Sequence, residues 1–96
     1  MSAIRIEGRR WFQRAYGNTY HSVRIRVDGE VVATVGPCYG YGDQYETTAC
    51  VWLAKNRPDL TGGAPGADKW ALRKLGHRVE PECTDVPRRR DLEWPK

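Results

Sequence analysis

The 96-residue chain reads as one α+β domain: an antiparallel sheet of three to four strands, in the order β-β-β-α-α-β, with helices packed on one face. Three observations predict this. Residues 19–28 carry the clearest period-2 pattern in the chain, with apolar and polar side chains alternating strictly from Val23 to Asp28. Asp28-Gly29 sits between two runs rich in valine. Tyr45, Ala49, Trp52 and Leu53 recur at helical spacing ahead of a proline.

The elements follow in order. Ile4 and Ile6 alternate with Arg5 and Glu7, Gly8 marks a bulge or bend, and the strand resumes through Trp11 and Arg14. Gly17-Asn18 is a turn pair, because both residues tolerate positive φ. In the second strand Thr19, His21, Val23, Ile25 and Val27 share one face; Tyr20, Ser22, Arg24, Arg26 and Asp28 share the other. Asp28-Gly29 predicts a type I′ hairpin into Glu30–Val35, which Gly36-Pro37 ends. Residues 1–36 therefore form a β-meander.

Asp43 with Glu46 predicts a capping box opening a helix over 43–57, stopped by Pro58. Residues 61–66 are a connector too short to separate a pair of viable domains. Residues 68–86 predict a short helix capped by Asp68, with Trp70, Ala71 and Leu75 as its apolar side and Gly76 at its end. An edge strand from Val79 to Val86 follows, demoted from the sheet centre by Pro81. Residues 87–96 are a loose charged tail, with Trp94 folded back.

Composition narrows the function classes. The net charge of +4 permits nucleic-acid binding without requiring it. The one dense basic run, Arg88-Arg89-Arg90, is flanked by Asp85, Asp91 and Glu93. Cys38, Cys50 and Cys83 are odd in number and widely spaced, which fits neither a disulfide framework nor a zinc site and points to a reducing, cytoplasmic setting. No apolar run approaches the roughly 20 residues of a membrane span, and residues 1–7 lack a signal-peptide core.

Catalytic motifs are absent. The chain has no G-x-x-x-x-G-K-[ST], G-x-S-x-G, H-E-x-x-H or EF-hand pattern. Gly40 and Gly42 before a helix start resemble a phosphate loop, but Asp43 would repel the phosphate and no lysine follows. Glu80 and Glu82 share a strand face without a histidine to complete a metal site, so a solvated edge is the simpler reading. His21 lies among Val23 and Ile25, where a buried, hydrogen-bonded histidine is the plain expectation. A small nuclease or nucleotide hydrolase using His21 with Asp43 or Asp85 stands as the enzymatic alternative. No cofactor or metal is expected.

The most unusual feature is the aromatic density around two turns. Arg10, Trp11, Arg14, Tyr16, Asn18 and Tyr20 surround the first. Tyr39 and Tyr41 precede the first helix. A meander brings the two groups to the same end of the sheet. Tyrosine and tryptophan serve there as interface anchors or as platforms for unpaired bases. With His21, and with Arg24 and Arg26 as a basic stripe, these residues are the expected binding surface.

The strings Trp11-Phe12-Gln13-Arg14, Tyr16-Gly17-Asn18-Thr19-Tyr20-His21-Ser22-Val23, Val27-Asp28-Gly29-Glu30 and Tyr39-Gly40-Tyr41-Gly42-Asp43-Gln44-Tyr45 resemble a family of small uncharacterised bacteriophage and prophage proteins. The resemblance spans most of residues 4–92. It implies a viral origin and carries no assigned activity. By class-level analogy, small phage proteins often bind and block a host protein or nucleoprotein, as anti-CRISPR proteins do. The expectation is therefore a non-enzymatic accessory protein acting on a host macromolecule, with direct nucleic-acid binding as the alternative.

Overall fold

The meander forms as expected. In a computed structural model, which describes residues 2–62 and 68–94, β1 (Ala3–Gln13), β2 (Asn18–Val27) and β3 (Glu30–Tyr39) pair antiparallel in succession. Asp28 and Gly29 take φ of 51° and 85°, the double positive turn that only such a pair adopts readily. The turn is also tied to β1, because Ala3 N–H donates to Asp28 Oδ1 and Asp28 N–H donates to the Ala3 carbonyl.

Two details of the meander differ from expectation. Gly8 marks no bulge: β1 runs through it in unbroken register, opposite Val23. The glycine is needed because the Tyr45 ring lies against it, and a Cβ there would stand 2.5 Å from Tyr45 Cδ2. β3 also continues past Gly36-Pro37. These two residues oppose Ser22 alone, a bulge that lets pairing resume with Cys38 opposite His21 and Tyr39 opposite Tyr20.

α1 (Gln44–Asn56) buries Tyr45, Ala49, Cys50 and Leu53 against the sheet. Asp43 precedes it, but its side chain caps nothing; Glu46 is instead buried and 2.8 Å from Lys69 Nζ. Pro58 both follows α1 and opens a further turn, α2 (Pro58–Thr61), where proline suits the first helical position. Residues 63–66 of the expected connector lie outside the described residues. Asp68 caps α3 (Lys69–Lys74) by accepting from Ala71 N–H at 2.8 Å. The buried residue of α3 is Leu72; Trp70 and Leu75, expected inside, are exposed.

β4 (Arg78–Asp85) lies at the sheet edge, giving the order β3-β2-β1-β4. It runs parallel to β1, so the sheet is mixed and not purely antiparallel. The reason is the helical connection, which returns the chain to the end where β1 starts. That return is clipped in place: Arg78 N–H donates to the Ser2 carbonyl, Ser2 N–H to His77 Nδ1, and His77 Nε2–H to the Leu60 carbonyl at 2.8 Å.

The main core lies on the helical face, formed by Ile4 and Ile6 of β1, Val23 and Ile25 of β2, Val79 of β4, and Leu53 and Leu72. The opposite face is not bare. The tail, expected to be loose, turns through a 3-10 segment (Arg89–Leu92) and lies across it. Leu92 is 1% exposed, its carbonyl accepts from Ser22 Oγ, and Arg9 donates to the carbonyls of Asp91 and Glu93. Trp94 does fold back, its ring between the guanidiniums of Arg9 and Arg24 at 4.1 and 4.7 Å.

Candidate functional site

The pleat places Trp11, Tyr20 and Tyr39 directly opposite one another on three adjacent strands, on the face away from α1. Cross-strand aromatic pairs of this kind stabilise a sheet by about 0.2–1 kcal/mol each. Here they form a continuous row. Trp11 stacks on Tyr20 with ring centroids 6.0 Å apart, and Tyr20 meets Tyr39 edge-on at 5.8 Å. Tyr39 ends the row at the sheet edge with 64% of its surface exposed. Gly40 N–H donates to the Thr19 carbonyl, which holds the following loop beside the first turn.

The same end of the sheet therefore carries Tyr16 in the first turn, Tyr41 after β3 and Phe12 near the end of β1, all exposed. Asn18, at the start of β2, is half-buried. Scattered exposed aromatics are ordinary, but this many at one sheet end is the kind of patch that marks an interaction surface.

The expected arginines divide. Arg14 is exposed and has no hydrogen bond or ion pair among the described residues. Arg10 turns to the helical side, where it pairs with Asp85 at 3.0 Å and donates to the Gly42 carbonyl. Arg24 and Arg26 are not a free basic stripe, because Glu7 lies opposite Arg24 in register and accepts from both at 2.9 Å. Burial pushes the Glu7 carboxyl up, but the hydrogen bonds and charges of the two arginines outweigh it and hold the carboxyl below its usual range.

His21 is walled in, 1% exposed, with Nδ1–H donating to the Gly40 carbonyl at 3.2 Å and Nε2 accepting from Thr48 Oγ1 at 2.6 Å. Burial lowers its pKa below 6.5, against a smaller opposing effect of the Gly40 carbonyl. The histidine ties β2 to α1 and does not reach the aromatic surface. Asp43 and Asp85, its suggested catalytic partners, form neither a hydrogen bond nor an ion pair with it among the described residues.

Sequence reasoning missed the position of Arg88-Arg89-Arg90. Val86 N–H donates to the Arg10 carbonyl, beside Trp11, and Leu92 is anchored at Ser22, two residues from Tyr20 on the same face. The three arginines, all exposed, thus belong to the short segment between an anchor beside Trp11 and one two residues from Tyr20. Only the fold places them there; the charge run was visible in the sequence and its location was not.

A concavity of about 560 Å³ lies at the other end of the sheet, lined by Arg5, Glu7, Arg26, Arg78 and Glu80. Its charges satisfy one another: Arg5 and Arg26 reach Glu7, and Arg78 reaches Glu80. No group of three or more His, Cys, Asp or Glu side chains is gathered in a metal-binding arrangement among the described residues. No helix among them is long and apolar enough to cross a membrane.

Fold and surface together define the class: a mixed-sheet α+β domain with an aromatic row on its non-helical face. No protein-family model, curated protein or solved structure matches the chain.

Proposed function

We propose that this domain is a non-catalytic accessory protein of bacteriophage type, which binds a macromolecule of the host cytoplasm through the aromatic end of its sheet. Blocking a host defence nucleoprotein is the specific role this reading favours. The observation that carries it is the row Trp11–Tyr20–Tyr39, with Tyr16 and Tyr41 exposed beside it. Aromatic side chains bury much area at little entropic cost, which is why they dominate interface hot spots. The enclosure of His21 supports a binder over a hydrolase, since a general base needs access to substrate. The resemblance of the Gly-Asn-Thr-Tyr-His and Tyr-Gly-Tyr-Gly-Asp strings to phage proteins supports the viral setting.

The test is affinity capture from a bacterial host lysate with the full chain and with the Tyr16→Ala/Tyr39→Ala variant, whose substitutions fall on exposed side chains. The expected result is a partner retained by the parent chain and lost from the variant. Equal retention by both, or none by either, would overturn the assignment of the surface. Turnover of nucleotide or nucleic acid with added magnesium or manganese would overturn the non-catalytic reading.

A further inference from the structure

We infer that the aromatic row receives an unpaired nucleic-acid strand, its bases stacking on the ring surfaces and its phosphates meeting Arg14 and Arg88–Arg90. This deepens the proposed binding role and rests on it.

The argument is charge complementarity beside a stacking surface. Among the described residues, six lysines and arginines have side chains with neither a hydrogen bond nor an ion pair: Arg14, Lys55, Lys74, Arg88, Arg89 and Arg90. Four of these six lie at the aromatic end, so the uncommitted positive charge is concentrated there. Elsewhere on the outer face the arginines are committed: Arg5, Arg24 and Arg26 to carboxylates, and Arg9 to carbonyls and Trp94. Asp91 and Glu93 accompany the tail arginines, leaving a positive surplus.

Apolar rings flanked by free guanidiniums are what a single strand requires, because every base has a π-face and every nucleotide a charge. The row crosses three strands, about 10 Å at the usual spacing. That width matches the two or three bases that comparable sheet aromatics stack. The row of Trp11, Tyr20 and Tyr39 holds no carboxamide or charged group to pair bidentately with base edges, so binding should depend weakly on sequence. A duplex keeps its bases stacked inside and can use only the arginines.

The test is fluorescence anisotropy of labelled dT20, U20 and a 20-base-pair DNA duplex with the full chain, from 50 to 200 mM salt. Four phosphate contacts give a log–log salt slope of about −3 for a single strand, roughly a 50-fold loss of affinity over that range. Arg88→Ala/Arg89→Ala/Arg90→Ala should flatten the slope to about −1. Tyr39→Ala should weaken binding about tenfold with the slope unchanged, since stacking is not ionic.

Two results would overturn the inference: no binding of either single strand at 50 mM salt, or duplex bound as tightly as strand with Tyr39→Ala silent. If the strand fails to bind while nuclease-treated lysate still yields a protein that the Tyr16→Ala/Tyr39→Ala variant loses, the nucleic-acid inference falls and the broader binding role stands. If both fail, both fall.

Discussion

Replacing Gly8 with alanine should strike the core at one identifiable contact. The added methyl carbon would lie 2.5 Å from Tyr45 Cδ2 and 2.7 Å from Cγ. Carbon atoms settle at about 3.5–4.0 Å, so the ring must withdraw by about 1 Å. It has little room, since Tyr45 is 6% exposed and fixed on the first turn of α1. Overpacking of this kind costs about 1–3 kcal/mol. Because Gly8 lies within an ordinary extended strand, alanine also recovers about 0.4–1 kcal/mol by restricting the unfolded chain. The net loss is about 1–2 kcal/mol, or a fall in Tm of about 5–15 °C for a domain of this size. Urea unfolding of Gly8→Ala, Tyr45→Ala and the double variant measures this directly. Tyr45→Ala alone should cost about 3–5 kcal/mol. Once the ring is gone the methyl group collides with nothing, so the double variant should lose about 1–3 kcal/mol less than the sum. Additive losses, or a Gly8→Ala variant as stable as the parent, would refute the claim that the ring dictates the glycine.

Three further outcomes follow from the buried groups. His21 has its folded pKa depressed, so the unfolded chain takes up this proton first. Its contribution is whole above about pH 7 and is lost as pH falls through 6.5; His21→Gln should remove that component of the pH dependence in denaturant titrations. Leu92→Ala should cost about 2–4 kcal/mol although Leu92 lies outside the main core, a loss that a loose tail could not produce in thermal unfolding. Cys50 should resist thiol reagents until the protein unfolds, because burial, aided by Asp68 and Glu46, pushes its thiol up to about 11. Reaction of Cys50 at the rate of a free thiol in native buffer would contradict this.

The elements legible in the sequence are those set by local chemistry. Alternation in β2, positive φ at Asp28-Gly29 and the helical spacing of Tyr45, Ala49 and Leu53 each specify their own segment. Pro81 correctly confines β4 to an edge. What could not be read depends on partners far along the chain. Alternation is the same for a parallel strand as for an antiparallel one, so the direction of β4 had to come from the helical connection and the Ser2–His77–Leu60 clip. Arg24 and Arg26 look like a basic stripe until the register sets Glu7 opposite Arg24. Leu92 carries no periodicity, and only the hydrogen bond from Ser22 gives it a place. The meeting of the two aromatic groups at one sheet end was legible because successive hairpins return the chain there, but the pairing of Tyr39 with Tyr20 needs the bulge at Gly36-Pro37.

The parallel pairing of β1 with β4 also has a consequence for synthesis. Ala3 and its partner Arg78 are 75 residues apart in sequence. At roughly 5–20 residues per second, β1 leaves the ribosome some 4–15 s before the strand that will cover its open side. During that interval the future centre of the sheet is a bare edge, the situation in which nascent chains pair with one another. β1 meets it with charge: Arg5, Glu7, Arg9 and Arg10 punctuate the strand. The residues that later bind Glu82, Arg24, Trp94 and Asp85 thus stand on an open strand edge during that interval, where charge is a feature that disfavours edge-to-edge pairing.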